Sequence, residues 1–154
     1  MSDKNEKNSS YISGKESRRI SKFNRRVTKK LERDRADANK DPALFTTKMK
    51  DENNVVEFDN VCTYFFTDVG TVKAVDGVSF VVPKCSTVGV VGESGCGKSV
   101  TAKSIMRLIK TPPAEIKEGS SIVFNGEDVL KFNEKRLCAY RGGEVAMVFQ
   151  DALA

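Results

Sequence analysis

The chain has 154 residues, 26 Lys and Arg against 21 Asp and Glu, and no histidine. This length allows one modest domain, or one domain plus a tail, and the lack of histidine excludes histidine-based acid–base catalysis and histidine metal sites within these residues. No apolar run is long enough to span a bilayer, and the N-terminus lacks the apolar core of a secretory signal. The four cysteines form no C-x-x-C pair, so we expect free thiols in a reducing cytoplasm.

Residues 1–54 form a basic, polar extension with 15 Lys and Arg against 9 Asp and Glu. This composition is typical of disorder, with one amphipathic helix predicted over residues 15–38. The apolar residues of that helix, three or four positions apart, are Ile20, Phe23, Val27 and Leu31. The basic residues around them favour a solvated helix, and contact with anionic lipid, with an acidic partner or with nucleic acid is left as an alternative. Asp41-Pro42 ends the helix.

Residues 55–154 carry the patterns of a folded domain, and we expect order to begin near Asn54. Strands are predicted over 55–58, 64–66 and 72–82, with turns at 67–70 and 83–84. A further strand is predicted over 87–91 and is followed by a glycine-rich loop and a helix that 111–113 stops. Then follow a strand over 121–124, a turn at 125–126, a helix over 134–140, a break at 142–143 and an apolar strand over 145–149. Several antiparallel strands around one strand–loop–helix unit predict an α/β fold.

The glycine-rich loop, residues 92–99, reads GESGCGKS and matches the phosphate-loop pattern G-x-x-x-x-G-K-[ST]. Glycines let the backbone approach phosphate oxygens closely, and the N–H groups at a helix start attract an anion. Lys98 would reach the β- and γ-phosphates, and the Ser99 hydroxyl would take one Mg²⁺ position. The expected nucleotide-binding residues of the loop are Gly92, Ser94, Gly95, Cys96, Gly97, Lys98, Ser99 and Val100. Cys96 is interpreted as a small packing residue, with a reactive thiol as the alternative.

Five segments in this order resemble the first part of an ATP-binding-cassette (ABC) ATPase, a P-loop NTPase. They are the aromatic run 64–66, the segment AVDGVSF at 74–80, the loop with its preceding valine at 91–99, the segment FNGED at 124–128 and VFQD at 148–151. The sequence around the loop is most similar to that of the oligopeptide/dipeptide importer subfamily. The resemblance covers residues 55–154, and it implies an antiparallel β subdomain plus part of a P-loop core sheet.

Further roles follow from the resemblance. An aromatic residue before the loop stacks on adenine in this family, and the pattern favours Phe65, with Tyr64 and Phe66 left open. Gln150 matches the glutamine that contacts Mg²⁺ and the attacking water, and it is a catalytic residue together with Lys98. Val100 stands where many family members have threonine, which makes Thr101 the next candidate for a hydroxyl near the phosphates.

The resemblance also implies an ATPase that binds ATP and Mg²⁺ at the cytoplasmic face of the cell membrane as a peripheral subunit. Its expected partners are transmembrane permease subunits, a second ABC ATPase subunit and, indirectly, a substrate-binding protein, with no nucleic acid. The signature loop, the Asp-Glu strand (Walker B) and the switch histidine do not follow Gln150, so we expect an N-terminal fragment with an open sheet edge that is inactive alone. The alternatives are a non-hydrolysing nucleotide-binding or regulatory module and a non-functional gene fragment.

Overall fold

A computed structural model describes residues 14–37, 39–67 and 70–149. A 23-residue helix, α1 (Gly14–Ala36), comes first and spans most of the predicted range. It is followed by a 3₁₀ turn (Pro42–Leu44) and two long strands, β1 (Asn54–Thr67) and β2 (Gly70–Pro83). Asp68 and Val69, the tip of the predicted turn, lie outside the described residues. The division of the chain near residue 54 stays a prediction.

The remaining elements are short. They are α2 (Lys98–Ile105), β3 (Ala114–Ile116), β4 (Ser121–Phe124), β5 (Glu127–Asp128), a 3₁₀ turn (Val129–Lys131) and α3 (Glu134–Gly143). The predicted turn at 125–126 and the predicted helix from 134 are present. The break predicted at 142–143 lies one residue earlier, because Arg141 and Gly142 have non-helical backbone angles.

The strands form one antiparallel sheet in the order β2-β1-β4-β5, with β3 paired to the other half of β1. β1 is the central strand, since it pairs with β2 along its length, with β4 through residues 56–59 and with β3 through residues 63–65. The antiparallel sheet with helices confirms the α/β class. α2 packs on β1 through Ser104, whose hydroxyl lies 3.3 Å from that of Thr63.

The hydrophobic core lies between this sheet and α3. Its centre is Tyr140, which is fully buried, and the ring of Tyr140 meets those of Phe124 and Phe132 edge-on at 5.1 and 5.5 Å. Phe45 packs on Phe132 at 5.5 Å and is buried as well. The packed body therefore includes Phe45, which precedes Asn54.

Two predicted strands are wrong. Among the described residues no strand pairs with 87–91, and Val91 is 93% exposed. Residues 146–149 are likewise unpaired after a single bridge from Arg141 to Val145, and Val148 is 89% exposed. An apolar strand needs hydrogen-bonded neighbours to satisfy its backbone, and the described part of the chain supplies none beside these segments.

The helix after the loop is also shorter than predicted. It ends at Ile105, and Arg107 has a positive φ of 50°. The apolar pattern that continues through Leu108 and Ile109 is therefore not helical, and the chain turns well before Pro112.

Candidate functional site

The glycine-rich loop leads directly into α2. Gly97 is the N-cap residue of this helix, has a left-handed φ of 93°, and contributes no side-chain cap. The first-turn N–H groups of a helix have no intrahelical partner, so the helix start presents donors and the positive end of its dipole to the loop. Thr101 N–H already bonds the Gly97 carbonyl at 2.9 Å, which fixes the beginning of the helix.

The loop lies against β2, and the contact is made at Gly97. A Cβ built at Gly97 would stand 2.2 Å from the carbonyl oxygen of Ala74, whereas a Cβ at Gly95 would meet nothing within 4 Å. Only glycine can fill position 97 without a shift of the backbone. Gly95 instead faces open space, although its φ of 81° is also left-handed.

Lys98 curls back over the loop. Its ammonium donates to the carbonyl oxygens of Gly92 at 2.8 Å and Glu93 at 2.6 Å, and it lies 3.7 Å from the sulfur of Cys96. The Lys98 ammonium therefore lies across the loop formed by residues 92–99, and the last residues of this loop begin α2. Ser94 and Cys96 are exposed in this loop, and Cys96 is a free thiol.

The residues after Lys98 divide between the surface and the core. Ser99 is exposed, and Val100 packs against the hydrophobic core. Thr101 is buried, and its hydroxyl donates to the Gly97 carbonyl at 3.1 Å. The Thr101 hydroxyl is thus bonded within α2, and its role as a second hydroxyl near the phosphates stays a prediction.

The three aromatic residues of β1 point in alternating directions. The pairing register of β1 with β2 shifts between Phe58 and Val61, where Asn60 has a positive φ of 47°. After this bulge the buried positions are Val61 and Thr63, and Thr63 contacts α2. Side chains on a strand alternate between faces, so Phe65 lies on the face of Thr63 and of α2.

Tyr64 and Phe66 lie on the opposite face. The Tyr64 hydroxyl donates to the carboxylate of Asp76, which also pairs with Lys73 at 3.2 Å. The hydrogen bond from Tyr64 lowers the pKa of Asp76 and raises the pKa of Tyr64. Phe66 meets the ring of Phe23 on α1 edge-on at 6.5 Å. Both of these neighbours of Phe65 therefore have contacts away from α2.

Gln150 lies outside the described residues. The segment before it ends at Phe149, which is 53% exposed. The structure thus pairs Phe65 with Val72 of β2 and places Gly97 of the loop against Ala74 of the same strand. The roles of Phe65 and Gln150 stay predictions.

Sequence reasoning missed a set of contacts at the other end of α2. The Tyr140 hydroxyl donates to the Ile105 carbonyl at 3.0 Å, and Arg141 donates to the carbonyls of Met106 at 2.8 Å and Arg107 at 2.7 Å. Burial raises the pKa of Tyr140, so its hydroxyl stays a neutral donor. The last carbonyls of α2 are therefore bonded to α3 and the break that follows it. The only signal in the sequence was a Tyr-Arg pair directly before two glycines.

The residues present fit a nucleotide and Mg²⁺. The loop offers uncapped helix N–H groups, the Lys98 ammonium and open space at Gly95. Within the described residues no cluster of three or more His, Cys, Asp or Glu could hold a metal by itself. A single hydroxyl ligand such as Ser99 suits Mg²⁺, which usually takes one or two protein ligands together with phosphate oxygens.

A family model described as ABC transporter matches residues 75–154, which include most of β2, the loop and α2. This chain belongs to that family. The match begins at Val75, beside the carbonyl that Gly97 approaches, and continues through α3.

Curated relatives include peptide transport proteins. The oligopeptide transport ATP-binding protein AppD of Bacillus subtilis is 43% identical over 101 residues, which are 66% of this chain and 30% of AppD. The dipeptide transport ATP-binding protein DppD of the same organism is 42% identical over 99 residues, 64% of this chain and 29% of DppD. The chain thus spans less than a third of these relatives' length.

A solved structure of a bacterial Atm1-family ABC exporter with ATP bound also matches, with 29% identity and a TM-score of 0.47. It covers 63% of this chain and 16% of that one. Among the described residues of this ABC chain, no helix is both long and apolar enough to cross a membrane.

Proposed function

We propose that this chain is the ATP-binding part of an ABC importer ATPase for oligopeptides or dipeptides. The observation that carries the proposal is the loop at the start of α2, with Gly97 against β2 and the Lys98 ammonium held across the loop. The relatives described as peptide transport ATP-binding proteins support the substrate class.

In this proposal the loop binds the phosphates of ATP. The N–H groups at the start of α2 donate to phosphate oxygens, and Lys98 exchanges its carbonyl partners for the β- and γ-phosphates. The Ser99 hydroxyl would hold Mg²⁺ in part, and the ion would supply positive charge that offsets the charge of the phosphates. Phosphoryl transfer to water depends on positioned charge more than on covalent chemistry, so Lys98 has a catalytic as well as a binding role.

Phe65 is the proposed partner of the adenine base. It lies on the face of β1 that carries Thr63 and α2, whereas Tyr64 and Phe66 face away. Any base offers a π-face, so stacking contributes affinity without reading the base in detail.

Gln150 is proposed to contact Mg²⁺ and the attacking water. The proposed partners are transmembrane permease subunits, a second ABC ATPase subunit and, indirectly, a substrate-binding protein. ATP hydrolysis at the cytoplasmic face of the membrane would then drive transport by the permease.

The test is binding of Mg·ATP by isothermal titration calorimetry to the wild type and to Lys98→Ala. Loss of a charged hydrogen bond costs about 1.5–3 kcal/mol, which is roughly ten- to a hundredfold in affinity. Lys103→Ala is the matched control, because Lys103 is an exposed lysine on the last turn of the same helix. Lys103→Ala should bind like the wild type. Equal affinity of all three proteins, or equal losses in both variants, would contradict the assignment of the loop.

A further inference from the structure

α1 concentrates positive charge. Its 23 residues include ten Lys and Arg and three Asp and Glu, a net charge of +7, which exceeds the +5 of the entire chain. At 1.5 Å per residue the helix is about 35 Å long, so the charge extends over a distance comparable to the width of a small domain.

The basic residues share one side of the helix. At 100° per residue, nine of the ten fall within a sector of about 140°. All nine side chains are exposed: Lys15, Arg18, Arg19, Lys22, Arg25, Arg26, Lys29, Lys30 and Arg33. Like charges at this spacing repel one another, so the arrangement costs stability unless an anionic surface compensates it.

Among the described side chains of α1, Phe23 makes the ring contact with the body of the protein. The Phe23 ring meets Phe66 edge-on at 6.5 Å and lies 5.9 Å from the Lys117 ammonium, yet Phe23 is 50% exposed. Farther along, a cavity of about 550 Å³ separates Arg25 and Lys29 from Pro112 and Pro113. The Phe23–Phe66 contact therefore joins the helix to the body, and the basic side chains are exposed although Arg25 and Lys29 also border the cavity beside the body.

We propose that the basic face of α1 binds the anionic headgroups of a lipid bilayer. Each Lys or Arg close to such a surface adds attraction, and a long helix with one basic side can lie flat along it. The half-exposed Phe23 at the edge of the basic sector adds apolar contact. These features favour lipid over nucleic acid, and the location at a membrane rests on the proposed function.

The experiment is co-sedimentation of the 154-residue chain with vesicles, without nucleotide, so that its result does not depend on the ATP site. Vesicles contain phosphatidylcholine with or without about 30% phosphatidylserine, at about 0.01 M and about 0.15 M salt, where the Debye length is about 30 and 8 Å. We expect retention on anionic vesicles at low salt, a steep decrease at the higher salt, and little retention on neutral vesicles.

Lys22→Glu/Arg26→Glu reverses two charges at the centre of the basic sector. One basic residue near the surface is worth about fivefold in binding, so this variant should bind at least about twentyfold more weakly. Lys48→Glu/Lys135→Glu makes the same change in net charge at two exposed lysines outside α1 and should bind nearly as well as the wild type. Circular dichroism checks that the helix content is unchanged.

No retention on anionic vesicles at low salt would overturn the proposal, as would equal weakening in both variants. Equal retention on neutral vesicles would indicate apolar insertion instead of headgroup binding. Tighter binding to a short DNA duplex than to the anionic vesicles at the same salt would assign α1 to nucleic acid.

Discussion

The contact between Gly97 and β2 makes a quantitative prediction about the loop. In Gly97→Ala the new Cβ would lie 2.2 Å from the Ala74 carbonyl oxygen, and neither atom can rotate away, since the backbone fixes the position of both. In Gly95→Ala the new Cβ meets nothing within 4 Å. Both glycines have a left-handed φ, of 93° and 81° respectively. The pair therefore separates the cost of conformation from the cost of packing.

The expected magnitudes follow from these two terms. A left-handed φ costs a non-glycine residue about 1–2 kcal/mol, and both variants lose this much. Overpacking against backbone lowers the free energy of unfolding by a further amount of about 1–3 kcal/mol, and only Gly97→Ala has this second loss. We therefore expect Gly95→Ala to lose about 1–2 kcal/mol in the free energy of unfolding and Gly97→Ala to lose about 2–5 kcal/mol.

Urea unfolding followed by circular dichroism measures both losses, provided that the two variants keep the m-value of the wild type. The measurement is made without nucleotide, so that it reports the contact between loop and sheet alone. Equal losses in the two variants, or no loss in Gly97→Ala, would refute the reasoning that this contact holds the loop against β2.

Two further predictions concern Phe65 and Glu57. Phe65→Ala should weaken Mg·ATP binding by about 1–3 kcal/mol and leave tripolyphosphate binding unchanged, as measured by calorimetry, since stacking involves only the base. Tyr64→Ala and Phe66→Ala are the matched controls, and a selective effect in either would move the adenine contact to that residue. Burial raises the pKa of Glu57, but hydrogen bonds from Lys50 N–H, the Asn54 amide and Asp51 N–H outweigh it and leave the pKa lowered. The stabilisation from the Glu57 carboxylate should thus be complete above its unfolded-state pKa of about 4.5 and be lost as the pH falls through the lower folded-state value, and Glu57→Gln should flatten this part of the stability curve.

The sequence by itself determined the local features. The loop residues 92–99 specify their own backbone path, because glycine at 95 and 97 permits the left-handed angles that other residues resist. The hairpin turn at Asn125-Gly126 and the helix from Glu134, with Asn133 as its N-cap, follow from residue type in the same way. The family could also be recognised, since it is carried by several such short segments in a fixed order.

The tertiary structure decided where those segments meet. The bulge at Asn60 changes which residues of β1 face α2, and this places Phe65, and not Tyr64 or Phe66, on the side of the loop helix. Alternation alone could not choose between adjacent aromatics, because the strand has to be counted from a bulge that depends on its pairing with β2.

The same dependence on neighbours explains the two strands that were predicted wrongly. Residues 87–91 and 145–149 have the residue composition of strands. A strand forms only where a neighbouring strand accepts and donates its backbone hydrogen bonds, and the residue pattern does not show whether such a neighbour is present. The hydrogen bonds of Tyr140 and Arg141 to the end of α2 could not be predicted from the sequence for a related reason. Their partners are backbone carbonyls at the end of a helix, and such acceptors carry no sequence signal until the packing of α3 brings the donors within reach.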